Sequence, residues 1–436
     1  MPKLSREVEL GMSAKLISRE GKTVTLEVTF DLAGSMLEAE KSILDALNEA
    51  GCLATGEALK GFDTDGARLV LGGEKWFSKG QVPKIYQTPY GEVDVPRHVY
   101  QRSQGGKTFC PLERAARIVV TSTPRFAQQV AHKFAHNAST EVREDLAENH
   151  GRPVARSYLQ SLSDAVGSVA QAQEETWSYA TPKLEQPIAT VSIGLDGTCM
   201  LMCQEGYREA MVGTLALYDA SGERQHTIYL GATPQHGKAD FIARLEREIA
   251  HVKTLYPQAT YVGIADGTKS NWTFLEQHTT VQVLDFYHAT QYLAAAAEAA
   301  FAKNLARRTQ WLTERCHDLK HKHGAPARIL REMEGFSAQR LGKALREKLD
   351  SAITYFRNHK HQMRYPRYRA AHLPIGSGIT EAACKTLVKQ RLCRSGMRWR
   401  ERGAGIVLSL RALVLSQGRW QQFWNKIDQY GLPVGA

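Results

Sequence analysis

Pro187-Ile188-Ala189-Thr190-Val191-Ser192-Ile193-Gly194-Leu195-Asp196-Gly197 is an apolar run that closes on an aspartate and a turn residue. Two later runs close in the same way. Thr260 to Ala265 stops at Asp266-Gly267, and Val281 to Leu284 stops at Asp285. Short apolar runs bounded by turn signals read as buried strands. Glu209 to Tyr218 and Gln225 to Leu230, joined at Ser221-Gly222, read as two more. Lys238 to Leu255 carries Phe241, Ile242, Leu245, Ile249 and Val252 at helical spacing, and Ser270 to His278 is a short helix. The order is three strands, helix, strand, helix, strand. The first three strands can pair as a meander, and the last two join in parallel through right-handed crossovers. The predicted class is α/β with a mixed sheet.

Ligands collect at the carboxyl ends of parallel strands, where side chains face a crevice. Carboxylates gathered there repel one another unless a cation neutralises them. Oxygen ligands suit Mg²⁺ or Mn²⁺. Two such ions roughly 3.5–4 Å apart serve an in-line phosphoryl displacement. The predicted topology sets the first strand beside the fourth, which pairs Asp196 with Asp266. Asp285 falls one strand further out, about 10 Å from the strand of Asp196, and is held in reserve as a ligand. His288 follows Asp285 by three residues, where it can hydrogen-bond a carboxylate or a phosphate and orient the site.

The third acid comes from Gly376-Ser377-Gly378-Ile379-Thr380-Glu381-Ala382-Ala383-Cys384-Lys385. Glu381 sits at the start of a helix that is otherwise strongly basic. Lys385, Lys389, Arg391, Arg394 and Arg398 follow it and are candidates to neutralise phosphates. Such contacts weaken steeply with salt. Trp399 reads as a core residue, with stacking on a flipped or unpaired base as the alternative. The expected metal ligands, and catalytic residues, are Asp196, Asp266 and Glu381.

Upstream, residues 15–30 alternate as a strand and residues 35–50 carry Met36, Ile43, Leu44 and Leu47 at helical spacing. Several strand signals lie over 68–101. Residues 124–170 read as a helix-turn-helix. Ser139 or Thr140 caps a helix from Glu141 to His150, Gly151 turns the chain, and a second helix runs from Val154 to Val166. Its core is Val154, Leu159, Leu162 and Val166, which leaves Arg152, Arg156, Ser157 and Gln160 for solvent or a DNA groove. Residues 171–188 read as a linker. Residues 289–360 are helical with a break at Gly324-Ala325-Pro326, and Leu408 to Trp424 is a last apolar helix.

Composition agrees with a nucleic-acid partner. The 436 residues carry 56 Lys and Arg against 45 Asp and Glu, a formal charge of +11. Seven scattered cysteines form no disulfide framework, which fits a reducing cytosol. Met1 to Glu7 leads into no apolar run, so no signal sequence is expected. The longest apolar stretch, Tyr292 to Phe301, is Ala-rich and holds Glu298, so no membrane span is expected.

Together, Asp196-Gly197-Thr198, Ala265-Asp266-Gly267, Asp285-Phe286-Tyr287-His288 and Gly376 to Glu381 resemble bacterial insertion-sequence transposases of the Mutator-like DDE superfamily, in particular the ISKra branch. The resemblance extends through Lys385, Lys389, Arg391, Gly396-Met397-Arg398-Trp399 and Leu410-Arg411-Ala412-Leu413. It covers roughly residues 190–415, with a weaker echo at Cys110-Pro111-Leu112-Glu113. It implies an RNase H-like catalytic core with an all-helical insertion. Asp196, Asp266 and Glu381 match the family's metal-binding triad, and Asp285 and His288 match its C/D-x-x-H signature. Relatives can carry a Cys-based zinc hairpin; here only Cys110 remains, which argues against zinc.

The predicted organisation is a β-rich/α module over 1–115, a helix-turn-helix-like DNA-binding region over 116–185 and a catalytic core over 186–288. A helical insertion over 289–372 and core helices bearing Glu381 over 373–436 complete it. The expected function is binding the terminal inverted repeats of an insertion sequence, with metal-dependent cleavage and strand transfer on double-stranded DNA. The expected cofactor is Mg²⁺ or Mn²⁺ as two ions, with a homodimer or larger assembly holding two ends. The expected location is the cytoplasm, at the nucleoid. The rivals are an RNase H-like nuclease that cuts without joining, and a transposase-derived DNA-binding regulator.

Overall fold

The computed structural model describes residues 13–432, apart from 33, 175 and 235–237. The stretch read for a signal sequence lies outside the described residues. The chain divides into two compact units, Met1–Ala172 with Gln421–Ala436, and Gln173–Trp420.

In the first unit, β1 (Ala14–Glu20) and β2 (Thr23–Val28) form an antiparallel hairpin. Helix α1 (Met36–Lys60) starts at Ser35. The Ser35 hydroxyl accepts from the Glu38 amide at 3.3 Å, and the Glu38 carboxylate accepts from the Ser35 amide at 2.7 Å. The face of α1 differs from expectation. Ala39, Ala46, Ala50 and Leu59 are buried, while Met36, Leu44 and Leu47 are exposed. Small residues let the helix lie close to its neighbours, and the larger side chains are turned outward. Strands β3 (Leu69–Leu71), β4 (Glu74–Gln87), β5 (Glu92–Arg102) and β6 (Gly105–Phe109) pair in that order in an antiparallel sheet.

The helices α2 (Pro111–Ala115), α3 (Pro124–His136), α4 (Ser139–His150) and α5 (Arg156–Gln173) follow. Helix α4 begins two residues before the predicted Glu141. Its cap is Ala138, whose amide donates to the Glu141 carboxylate at 2.7 Å, so neither Ser139 nor Thr140 caps it. Gly151 closes α4 with φ +60°, as its position implied. Val154 is buried but precedes α5, whose inner face carries Leu159, Leu162 and Val166.

The second unit is built on a mixed five-stranded sheet. Its strands are β7 (Thr190–Met202), β8 (Gly206–Tyr218), β9 (Arg224–Ala232), β10 (Thr260–Ala265) and β11 (Val281–Leu284). Their spatial order is β11-β10-β7-β8-β9. The first three pair antiparallel, and β10 and β11 run parallel to β7. This is the predicted meander with two parallel additions.

One face of the sheet, with Gly213 and Gly263, receives α6 (Ala239–Leu255) and α7 (Lys269–His278). Both glycines leave room for side chains of those helices: Phe241 and Leu245 over Gly213, and Leu275 over Gly263. The other face receives α13 (Gly378–Ala383) over Gly194 and α15 (Glu401–Leu415) over Gly231.

Between these lie α8 (Phe286–Ala300), α9 (Leu305–His321), α10 (Ala325–Phe336), α11 (Lys343–His359) and α12 (Tyr365–Ala370). The helical stretch therefore starts at Phe286, and it breaks near 301–304 and 337–342 as well as at Gly324. Its apolar residues, including Trp311, Ile329, Met333 and Phe356, share one continuous core with Ile193, Val262 and Val283 of the sheet. After α13 the backbone stays helical through wider turns over Cys384–Lys389 into α14 (Gln390–Leu392). The predicted last helix is two, α15 and α16 (Arg419–Tyr430), separated at Gly418 with φ +85°. Among the described residues no helix is long and apolar enough to cross a membrane.

Candidate metal and catalytic site

The parallel register places Ile264 opposite Gly194. Continued by two residues, it brings Asp266 level with Asp196. The position of Asp196 nonetheless differs from expectation. It does not end its strand, because β7 runs on to Met202, with Asp196 opposite Val212 of β8. Only the parallel neighbour stops, at Ala265. Asp196 is therefore a mid-strand residue whose open side is the gap where β10 leaves the sheet. Gly197 is no turn. A Cβ there would meet the Glu209 side chain at 2.3 Å, so the glycine accommodates a cross-strand neighbour.

Glu381 reaches the same place through a close contact. Gly194 shares its sheet face with Asp196, two residues away. A Cβ on Gly194 would meet the Thr380 hydroxyl at 2.1 Å. The Thr380 and Thr214 hydroxyls lie 2.8 Å apart in the buried contact. Helix α13 therefore lies on the sheet at Gly194, with Glu381 in its first turn.

The Asp196 carboxyl is pushed above the usual carboxylate range. Burial is the main cause, and the charges of Asp266 and Glu381 add to it. The Gly197 amide donates to one of its oxygens at 2.7 Å, and the Cys384 thiol lies 3.6 Å from the other as a donor. That thiol is pushed up to about 12 by its own burial and by the Asp196 charge, so it remains a protonated donor. Asp266 accepts from the Thr268 amide and hydroxyl at 3.0 and 3.2 Å. The Tyr355 hydroxyl of α11 donates to its main-chain carbonyl at 2.6 Å.

Asp285 is fully buried, with 0% exposure. It caps α8, accepting from the His288 amide at 2.6 Å, and its second oxygen accepts from the Ser377 amide. The Phe286 amide donates to the Ile375 carbonyl at 3.0 Å. These bonds fasten the end of β11 to the turn that precedes Glu381. The Ser377 hydroxyl donates to Glu381 at 2.9 Å, and His288 Nε2 lies 3.6 Å from the same carboxylate. Asp285, His288 and Glu381 each offer one ligand atom within 4.8 Å of the others, a set that could hold a metal ion. The reserve ligand thus lies in the tightest cluster among the described residues. Asp196 and Asp266 stand near enough to act on one another electrostatically without belonging to it.

The predicted DNA-contact residues divide. Lys385, Lys389, Arg394 and Arg398 are exposed. Arg391 is not; it is 2% exposed, with its guanidinium over the Trp399 ring at 5.4 Å. Trp399 is held in turn by a 2.8 Å bond from its indole N–H to the Leu392 carbonyl. Arg152 is also buried. It donates to the Thr88 carbonyl at 3.1 Å and the Gln87 side chain at 2.7 Å, and lies over Phe126. Burial makes both arginines internal struts rather than phosphate contacts. Arg156 is exposed but donates to the Ser139 hydroxyl at 3.0 Å, and Gln160 donates to Asp164 at 2.9 Å.

Sequence reasoning missed Ser377, Cys384 and Tyr355. The first two lie four before and three after Glu381, spacings that face the same side of a helix. Tyr355 has no comparable signal, because only the packing of α11 brings it to Asp266. No family model matches the chain, and no curated protein matches it.

Proposed function

We propose that the chain is a DNA transposase whose mixed sheet is an RNase H-like catalytic core interrupted by a helical insertion. The observation that carries the reading is the convergence of Asp196, Asp266 and Glu381 at the edge where β10 leaves β7, where burial raises the Asp196 carboxyl and the two neighbouring charges add to it. Asp196 and Asp266 are half-buried and Glu381 is exposed, and like charges gathered there repel one another unless a cation neutralises them. The donor set fits one: Asp196, Asp266 and Glu381 would hold Mg²⁺ or Mn²⁺, with Asp285 and His288 at the Glu381 end of a two-ion site. Such ions activate water and steady the leaving oxygen of an in-line phosphoryl displacement.

The chain's own residues set the geometry. Asp285 fastens the Ser377 turn, Ser377 and His288 orient Glu381, and Cys384 donates to Asp196. The exposed Lys385, Lys389, Arg394 and Arg398 offer positive charge for the DNA backbone beyond Glu381. Hydrolysis at an element end would be followed by attack of the freed 3′-hydroxyl on target DNA, with no covalent enzyme intermediate required. Holding two ends calls for a dimer or larger assembly.

The test uses the full chain with DNA from the inverted repeats flanking its gene. Asp196→Asn and Glu381→Gln are expected to keep end binding and to lose Mg²⁺-dependent cleavage. A pre-cleaved end should yield a joined product with wild type. Hydrolysis without joining, or undiminished cleavage by either variant, overturns the reading.

A further inference from the structure

A concave site lies at the end of the same sheet opposite the carboxylates. A cavity of about 650 Å³ is bordered by the first residues of β7, β10 and β11: Thr190, Thr260 and Val281. The carboxylates gather at the other ends of these strands. Six residues of β10 separate the two sites, about 20 Å at a strand's rise.

The border of this cavity is basic. His361, Arg364, Arg367 and His372 line it, all exposed. Its one carboxylate, Asp219, is committed to its own turn. One oxygen accepts from the Ser221 amide and hydroxyl and the Glu223 amide, and the other from Gln225. Neither Arg364 nor Arg367 has a carboxylate partner among the described residues. Two guanidiniums at one mouth with no counter-ion of their own are arranged for an external anion.

The rim is also built rather than loose. Gly222 has φ +87°, and a Cβ there would meet the His372 carbonyl at 2.9 Å. His372 itself has φ +54°, a left-handed conformation unusual for a residue with a side chain. The turn after β8 and the segment after α12 therefore meet backbone to backbone at the edge of the cavity. A volume of this size suits a ligand the size of a nucleotide.

We propose that this cavity binds the phosphate of a nucleotide, with Arg364 and Arg367 as the anion-binding pair. The phosphate can belong to a nucleic-acid strand or to a free nucleotide. The proposal does not rest on the reading of the carboxylate site, and its test runs in EDTA, where that site has no metal. Full-length wild type and an Arg364→Gln/Arg367→Gln variant are compared with two probes: a fluorescein-labelled 15-nucleotide single-stranded DNA, and adenosine monophosphate. Both arginines are exposed, so the variant is expected to keep the wild-type circular dichroism.

If a strand supplies the phosphate, the variant binds DNA at least tenfold more weakly. Its log–log salt slope is also shallower by about 1.4, for two single-strand phosphate contacts. If a free nucleotide does, adenosine monophosphate saturates wild type and not the variant. Equal binding of both probes by wild type and variant, or binding of neither by wild type, overturns the proposal.

Discussion

Replacing Asp285 by alanine should loosen two segments at once. The carboxylate is fully buried and accepts from two main-chain amides, those of His288 at the start of α8 and of Ser377 before α13. Hydrogen bonds to a charged group contribute about 1.5–3 kcal/mol each, and loss of a helix cap alone costs about 1 kcal/mol. Both amides belong to half-buried residues, so water replaces part of what is removed. The net local cost is about 3 kcal/mol, which corresponds to amide exchange faster by about a hundredfold. Hydrogen exchange followed by mass spectrometry reads this directly. Peptides containing His288 and Ser377 should accelerate, while those from β8 should not. Asp285→Asn separates the two bonds, since an amide keeps only one accepting oxygen. With that oxygen toward His288, the Ser377 peptide alone should accelerate. A change below tenfold at both places in the alanine variant would refute the claim that Asp285 holds the turn that positions Glu381.

Three further outcomes follow from the same geometry. Asp196 holds its proton to higher pH in the folded chain than in the unfolded one, so its ionisation costs stability as pH rises from the ordinary aspartate range through the raised native value. Without divalent metal, Asp196→Asn should therefore be more stable than wild type to urea at pH 7, with the difference shrinking toward pH 4; a difference independent of pH would contradict this. Gly194→Ala should lift α13 off the sheet and weaken Mn²⁺ binding measured by electron paramagnetic resonance, and adding Thr380→Ala should restore it by removing the 2.1 Å collision; no rescue would mean that another contact seats the helix. Arg391→Ala should lower the melting temperature and leave the salt dependence of DNA binding unchanged, whereas Lys385→Ala with Lys389→Ala should do the reverse, flattening the salt slope by about 1 for each phosphate no longer neutralised.

Much of the sheet was legible because its strands are apolar runs of ordinary length with turn residues between them. The strand order followed from connection rules, and it set Asp196 beside Asp266 as observed. The boundary at Asp196 was misjudged for a physical reason. Gly197 reads locally as a turn, but its lack of a side chain serves the Glu209 neighbour on β8, and Thr198 to Met202 continue the strand. Arg152 and Arg391 failed as surface residues because a guanidinium can be buried wherever carbonyls or a ring meet it; the partners of Arg152 are distant in sequence, and Trp399 meets Arg391 only through the turn at Gly396. The α1 stripe misled for another reason. Helical spacing locates a face but not which face is buried, and here the alanines took that role. The clustering of Asp285 with Glu381 depended on the return of the chain at Ser377, a contact between residues 92 apart that no local pattern encodes.

The core that helices α8 to α12 share with the sheet has a mechanical consequence. A lobe attached by a hinge can move without disturbing the body that carries it. Helix α11 has no such freedom, because its apolar side chains complete the interior of the sheet and Tyr355 grips the carbonyl of Asp266. Gly267 is pressed against Tyr355 and His359, where a Cβ would lie 2.9 and 3.2 Å from their rings. A load on the outer helices is therefore transmitted to the loop carrying Asp266.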